Sequence, residues 1–377
     1  MKLLFDLFVT QPQSDSYKRH GGGVYGEIVL RKILELKYPI SCFYSSKRGL
    51  YPEIKELLIK NKVPCYDIEK RDIETIIKEE KITRIYSPLP YAVRTITSCE
   101  VYGTVHGLRP LELPLDKYFL RYKSSFKLKT LIKYYSKKYL PTIGYGHEMK
   151  IFEDYFKNDR FHLITVSNHS AYSMKAFFPK YINKEIKTFY SPSTALIEIK
   201  NRKFQEKYFL LVSGNRWEKN CLRALIALDK LFSCGYFSTV KVKIAGTYGK
   251  TFRYRFKNPE RFELVGFVDD EELQQLYHDA YCFIYPSLNE GFGYPPIEAM
   301  HYGIPIIASP FTSIPEVCGD AVLYTNPFSI EEIMNRILMI NNENIYHKLS
   351  EKSLERYKYI TYKQNEDLES LIDYIYK

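Results

Sequence analysis

Residues Ser287 to Pro310 read SLNEGFGYPPIEAMHYGIPIIASP. An apolar run, Tyr281–Tyr285, leads into this stretch, and a second, Ile304–Ile307, lies near its end. A Gly291-Phe292-Gly293 turn and then Tyr294-Pro295-Pro296 separate the two. Proline suits the opening of a helix, where its missing N–H costs nothing. The spacing therefore predicts strand, loop, helix, strand, the repeating unit of a parallel sheet. It puts Glu290 on the strand-to-helix loop and Glu298 in the first turn of a helix over Ile297–Tyr302. Free N–H groups at a helix N-terminus suit an anion. Two carboxylates eight positions apart can accept from sugar hydroxyls. A phosphorylated, polyhydroxylated ligand needs both, although carboxylates near a helix start also complement the helix dipole with no ligand at all.

The same alternation runs along the chain. Strands are predicted at Lys2–Thr10, Ile40–Tyr44, Val63–Tyr66, Arg84–Tyr86, Val101–Val105 and Phe161–Val166, with helical periodicity between them. Ser191-Pro192-Ser193 interrupts the pattern, and Ile197–Lys207 is charged like a linker. A second series begins at Tyr208–Val212 and continues through Val240–Ile244, Phe262–Leu264, Cys282–Tyr285, Ile304–Ile307 and Val322–Tyr324. The expected fold is α/β, with two doubly wound, Rossmann-like domains.

With its flanks, Ser287–Pro310 resembles the E-x7-E motif of the retaining GT-B glycosyltransferases of the family 4 type (group 1 glycosyltransferases), which build bacterial surface polysaccharides. The similarity extends upstream to Leu264–Leu273 and downstream to Ile314–Ala321 and Tyr324–Pro327. It implies a GT-B architecture whose domains face a central cleft. The expected parts are an acceptor domain over residues 1–190, a linker over 191–207, a nucleotide-sugar domain over 208–350, and a helix over 351–377 that crosses back. It further implies that Glu298 holds the donor ribose, and that Glu290 with the Gly291, Phe292 and Gly293 backbone meets the transferred sugar. Reaction is expected on one face of the sugar, with the leaving phosphate helping to deprotonate the acceptor.

Further candidates fit this resemblance. Arg216 and Lys219 follow the strand ending at Val212, at the edge where open α/β sheets bind ligands. The family places an Arg and a Lys there to hold the diphosphate, although Arg216 sits closer to Lys219 than in the commoner pattern. His106, ending a strand, is implied to contact the donor sugar; the acid usual after it is Gly107 here. Gly246 is expected where the donor base approaches backbone, and Ser167-Asn168 match a further family loop. Gly22 and Gly23, in the run Gly21–Gly26, resemble the family's glycine loop. That run also fits a dinucleotide fingerprint, so an NADP-dependent oxidoreductase or a sugar-nucleotide-modifying enzyme is the alternative. Against NAD stand the polar residues Gln11–His20 before the glycines and the absence of an acid after Ile40–Tyr44, where Ser45-Ser46-Lys47-Arg48 follows. A glycoside hydrolase would also use two carboxylates, and a non-catalytic glycan-binding protein would use none of the diphosphate cations.

No Asp-x-Asp occurs in the chain, so a metal-independent hexosyltransferase is expected, with no cofactor. At 377 residues there is room for two domains with sizeable cores. Seven scattered cysteines without CxxC or zinc spacing fit free thiols in a reducing cytoplasm. The opening MKLLFDLFVT, with Asp6 inside it, reads as a strand rather than a signal peptide. The net charge of +11 calls for a polyanionic partner, and its distribution favours anionic lipid over nucleic acid. Leu115–Leu140 carries eight Lys or Arg and the single acid Asp116, interleaved with Phe119, Leu120, Phe126, Leu128, Leu131, Ile132 and Tyr135. This basic amphipathic stretch predicts a protein peripheral to the inner face of the cell membrane, docking through its first domain. A solvated helix face packed on its own domain is the alternative. The expected partners are a nucleotide-sugar donor and a glycan or lipid-linked glycan acceptor.

Overall fold

The computed structural model describes residues 2–12, 21–122, 128–193, 196, 206–248 and 252–377. The chain forms two units. The first comprises Met1–Leu108, His147–Thr194 and Thr361–Lys377, and the second Arg109–Gly146 and Ala195–Ile360.

The first unit holds seven parallel strands: β1 (Leu3–Asp6), β2 (Ile40–Tyr44), β3 (Cys65–Asp67), β4 (Arg84–Ser87), β5 (Glu100–Val105), β6 (Phe161–Thr165) and β7 (Ile186–Thr188). Their order is β3-β2-β1-β4-β5-β6-β7. Parallel strands are covered on both faces, which is why β1 is apolar on successive residues rather than alternating. Leu3, Leu4 and Phe5 are fully buried. Asp6 ends β1, buried, and its carboxylate accepts from Phe8 N at 2.8 Å and from Ser87 Oγ at 2.6 Å. Burial pushes this carboxyl up to about 6, against those hydrogen bonds and Arg48. The Asp6 turn stops the strand four residues before the predicted Thr10, and Phe8–Thr10 form a 3₁₀ turn instead.

Helix α1 (Gly21–Glu35) packs on this sheet. Its buried Tyr25 hydroxyl meets Tyr86 at 2.9 Å and Thr104 at 3.1 Å, so the three hydroxyls satisfy one another away from water. Gly22 and Gly23 lie in the first turn of α1 rather than in a loop before it. A Cβ on Gly23 would stand 2.9 Å from the Val9 carbonyl oxygen, so this glycine serves the close seating of α1 on the 3₁₀ turn. Ser167 caps the helix Asn168–Phe177 by accepting from Ser170 N at 3.2 Å.

The second unit holds six parallel strands: β8 (Tyr208–Leu211), β9 (Lys241–Ala245), β10 (Phe262–Gly266), β11 (Cys282–Tyr285), β12 (Ile306–Ala308) and β13 (Leu323–Tyr324). The order β10-β9-β8-β11-β12-β13 reverses direction between β8 and β11. Phe209, Leu225, Leu228, Ile244, Ile284, Ile307 and Ile333 fill its core. The predicted linker 191–207 falls largely outside the described residues.

Residues Arg109–Gly146 correct the sequence reading, which put them in the first domain. They belong to the second unit because Asp116 pairs with buried Arg223 and accepts from the Trp217 indole at 3.1 Å. Tyr122 OH also accepts from Leu222 N at 2.7 Å. Leu113, Tyr118 and Tyr122 share one apolar cluster with Trp217, Leu222, Ile226 and Leu288. Within this segment lies α2 (Leu128–Tyr139). Helix α3 (Cys221–Ser233) follows β8, and α4 (Tyr294–His301) follows β11.

The last helix, α5 (Glu343–Tyr376), contributes to both units. In the second, Ser350 Oγ donates to Gly303 O at 2.6 Å and Arg356 Nε to Val317 O at 2.7 Å. In the first, Tyr190 N donates to Asp367 at 2.8 Å and Arg84 to Ile375 O at 2.7 Å.

Alanine at a helical glycine ordinarily gains about 1 kcal/mol. Gly23→Ala is expected to lose roughly 1–3 kcal/mol instead, because the carbonyl it meets is backbone and cannot yield. Gly146→Ala, at a helix start with open space around the added carbon, is the control and should be neutral or stabilising. Urea denaturation of the two variants checks this, and a Gly23→Ala protein as stable as its control contradicts it.

Candidate functional site

In an open α/β sheet the crevice lies beyond the carboxyl ends of the strands where the order reverses. Here that point is between β8 and β11. The loop after β8 carries Arg216 and Lys219, and the loop after β11 carries Glu290. A Cβ on Gly214 would stand 2.5 Å from Ile244 Cγ2, so the first loop lies directly on β9. A 3₁₀ turn, Trp217–Lys219, leads to Asn220 at φ 57°. Asparagine tolerates this left-handed conformation, and its side chain donates to Pro286 O at 3.1 Å and Pro327 O at 2.6 Å. The second loop is pinned from the other side. Glu290 N donates to Thr312 Oγ1 at 2.9 Å, and Ser313 Oγ donates to Glu290 O at 3.1 Å and Phe292 O at 2.7 Å.

These constraints bring Lys219 Nζ to 2.6 Å from Glu290 Oε1, with both side chains buried. Lys219 also donates to Tyr285 OH at 2.7 Å, and Tyr285 OH donates on to Glu290 Oε1 at 2.6 Å. Ser287 Oγ is a third donor to the same oxygen. Oε2 faces the Arg109 guanidinium at 3.8 Å. Burial pushes the Glu290 carboxyl up, but Lys219 and Arg109 together with these hydrogen bonds bring it down to about 2. Burial pulls the Lys219 ammonium down, as do Arg216 and Arg109, while Glu290 opposes them. Three donors on one carboxylate oxygen hold the pair in its ionised form.

Arg216 Nε and Nη2 reach Glu218 Oε1 at 2.8 and 2.6 Å. Arg109 Nη1 reaches that oxygen at 3.3 Å, and Arg109 Nε reaches Asn289 Oδ1 at 3.4 Å. Asn289 in turn donates to Glu112 at 2.6 Å. Around the reversal point, Arg109, Arg216 and Lys219 thus face Glu218 and Glu290, with buried Glu298 also in the field of Lys219. Arg109 is a participant that the sequence reading missed. The available signal was its place three residues after His106 in a stretch without strand or helix periodicity.

Glu298 lies in the second turn of α4, which begins at Tyr294 and not at the predicted Ile297. The helix can start early because Pro295 and Pro296 occupy opening positions that need no N–H partner. The same prolines remove two of the N–H groups expected to greet an anion, leaving those of Tyr294 and Ile297 in the opening turn. Burial raises the Glu298 carboxyl, against the neighbouring Tyr277 hydroxyl and Lys219. The Tyr277 hydroxyl is itself buried without a geometric hydrogen bond. Gly293 caps α4 at φ 110° with open space at its missing Cβ; Gly291 is half-buried and Phe292 buried.

Gly246 follows β9 at φ 79°, and a Cβ there would stand 3.1 Å from Ser213 Cα. Its N–H donates to Gly266 O at 2.5 Å. At the same sheet edge the exposed rings of Tyr248 and Phe267 stand 5.3 Å apart. The structure therefore gathers Arg216, Lys219, Glu290, Glu298 and Gly246 at one edge of the second unit. His106, Gly22 and Gly23 belong to the first unit. His106 follows β5, its ring edge-on to Tyr25 at 4.7 Å and its Nε2 3.0 Å from Pro88 O. A carbonyl accepts, so Nε2 carries the proton. Among the described residues no group of three or more His, Cys, Asp or Glu could hold a metal ion.

Residues 192–358 match the family model described as Glycosyl transferases group 1. An O-antigen chain mannosyltransferase B of Escherichia coli is 42% identical over 86 residues, 23% of this chain and 23% of that relative. The O-antigen chain mannosyltransferase RfbU of Salmonella typhimurium is 28% identical over 318 residues, 73% of this chain and 86% of that protein. Among solved structures, sucrose-phosphate synthase from Thermosynechococcus elongatus superposes with a TM-score of 0.67 at 15% identity, over 100% of this chain and 98% of that one. The two Rossmann-like units are those of a GT-B fold.

Removing one partner of a buried ion pair leaves a charge without compensation, at a cost of about 3–5 kcal/mol. Glu290→Gln and Lys219→Met should each show a loss of that order in urea denaturation. The double variant should lose clearly less than the sum of the two, since neither charge is then stranded. Additive losses contradict a coupled pair. The wild type should also lose stability below pH 4.5, because a carboxyl held at about 2 in the folded state takes up its proton sooner when unfolded.

Proposed function

We infer that the chain is a group 1 glycosyltransferase, moving a sugar from a nucleotide-sugar donor to a growing surface glycan. The observation that carries this reading is the convergence of Arg109, Arg216 and Lys219 at the reversal point of the second sheet. A donor diphosphate offers these cations oxygens to bind. Lys219 and Arg216 take up the charge that grows on the nucleoside diphosphate as the anomeric C–O bond breaks. The acceptor oxygen bonds to the same carbon on the same face, and its proton passes to the departing phosphate. Retention follows without a protein nucleophile. These cations stand where a divalent ion would act, so transfer is expected to continue in EDTA.

Glu290 has Oε1 filled by three donors, and Oε2, 3.8 Å from Arg109, accepts from a hydroxyl of the transferred sugar. Glu298 accepts from the donor ribose. Tyr248 and Phe267 offer the base a stacking surface, which suits any base because each has a π face. Both relatives are named as O-antigen mannosyltransferases, which favours mannose as the sugar and a lipid-linked glycan as the acceptor.

The acceptor also bears on α2. Leu128, Ile132, Tyr135 and Tyr139 recur at helical spacing on one face and are 52–72% exposed, and Ile143 beyond the helix is 76% exposed. Another face of α2 carries buried Tyr134, stacked on Phe119 at 6.2 Å. Residues 117–147 contain eight Lys or Arg and no Asp or Glu. An apolar stripe in a wholly basic surround complements an anionic bilayer surface. We propose that α2 docks the enzyme there, beside its lipid-linked acceptor. No helix among the described residues is long and apolar enough to cross a membrane.

Thermal shift with UDP-, GDP-, ADP- and dTDP-sugars tests the donor reading. At least one of these donors should stabilise the protein, and Glu298→Ala should weaken its binding by roughly 1.5–3 kcal/mol through a lost charge-assisted hydrogen bond. If no nucleotide sugar shifts the melting temperature, the donor reading fails. For the membrane, wild-type protein should co-sediment with anionic vesicles at low salt and come off at high salt. Ile132→Asp with Tyr135→Asp should stay in the supernatant while donor binding is unchanged. Wild type that ignores such vesicles leaves α2 a solvated face.

A further inference from the structure

Glu218 is a carboxylate in a site built to receive an anion. Its Oε1 accepts from Arg216 through Nε at 2.8 Å and Nη2 at 2.6 Å, and from Arg109 Nη1 at 3.3 Å. One oxygen therefore gathers two guanidinium groups. The Glu218 side chain is 20% exposed, whereas Arg216 and Arg109 are 43% and 36% exposed. Its backbone is fixed as well, because Leu288 N donates to the Glu218 carbonyl at 2.7 Å. Only the side chain is free to change partners. Burial pushes this carboxyl up, but Arg216 and Arg109 bring it below its usual range, so it is ionised whenever the enzyme works.

Three cations within one small crevice repel one another unless an anion sits among them. Glu290 answers Lys219, and its Oε1 is already filled by three donors. Glu218 answers Arg216, and it shares Arg109 with Glu290 Oε2, which lies 3.8 Å from that guanidinium. We propose that Glu218 is an internal stand-in for the donor's diphosphate: it holds Arg109 and Arg216 together in the empty site, yields them to phosphate oxygens when the donor enters, and takes them back as the nucleoside diphosphate leaves. This rests on the donor reading given above and adds Arg109 to the residues that bind the diphosphate. Planar guanidinium forks exchange carboxylate for phosphate without a change of geometry, which a lysine does not do as well.

The stand-in lowers apparent affinity, because each phosphate contact must first displace a carboxylate. It also speeds product release, a step that limits turnover in many enzymes. The two effects share one cause, so removing the charge should shift both in the same variant.

The test is titration calorimetry with inorganic pyrophosphate, which is independent of the base, and with UDP, GDP, ADP and dTDP. Glu218→Gln should bind pyrophosphate and the preferred nucleoside diphosphate about tenfold more tightly than wild type, with lower KM and lower kcat. Loss of a structural contact cannot tighten binding in this way. Arg109→Gln should weaken pyrophosphate about tenfold, and it decides the matter alone if Glu218→Gln does not fold. Equal or weaker binding by folded Glu218→Gln, or unchanged binding by Arg109→Gln, overturns the stand-in while leaving the donor reading in place. If wild type binds none of the four nucleoside diphosphates, the donor reading falls and takes the stand-in with it.

Discussion

An ammonium cannot stay charged in a protein interior unless a carboxylate meets it with good geometry. Lys219 and Glu290 impose that demand on the second unit, and much of its local architecture answers it. Two loops, seventy-one residues apart at these side chains, must arrive within hydrogen-bonding distance. The parallel sheet does the coarse work by sending the loops after β8 and β11 to one edge. Asn220 does finer work, in a left-handed conformation that few residues accept, by bonding the carbonyls of two other segments. Thr312 and Ser313 hold the second loop from a third. Tyr285 spans the pair, accepting from one partner and donating to the other.

Much of this is legible in the sequence. Strands buried on both faces are apolar without interruption, so runs such as Leu3–Phe5 and Cys282–Tyr285 stand out in the sequence. Loops at strand ends must then carry the chemistry, and Lys219 and Glu290 could be named from that position together with the family resemblance. What escaped were features that depend on distant contacts. Nothing near Asp116 reveals that Arg223 will pair with it, so Arg109–Gly146 could not be assigned to the second unit. Pro295 and Pro296 were read as preceding the helix, although a proline inside the first turn is equally comfortable, and Glu298 moved a turn as a result. Gly23 resembles part of a family glycine loop, but only the fold shows that a Cβ there would meet the Val9 carbonyl. Arg109 has no local motif, and only the folded loops show the two carboxylates that it serves.

The contrast between the two glutamates next to lysine and arginine is instructive. Glu290 is buried and saturated on one oxygen, with strand, helix and loop residues all donating to it. Its neighbour in space, Glu218, meets only guanidinium groups on flexible stems. The first is a fixed element of the scaffold and the second is exchangeable. A site that combines a rigid charge with a mobile one can be preorganised and still let its product go.

Helix α5 has a consequence for the order in which the molecule is made. The first unit draws on Met1–Leu108, His147–Thr194 and Thr361–Lys377, whereas the second needs nothing beyond Ile360. As the chain leaves the ribosome, the second unit has its whole sequence before the first does. Until residues 361–377 emerge, Tyr190 N lacks Asp367, Ser191 O lacks Gln364, and Arg84 lacks the Ile375 carbonyl. The unit that starts first finishes last.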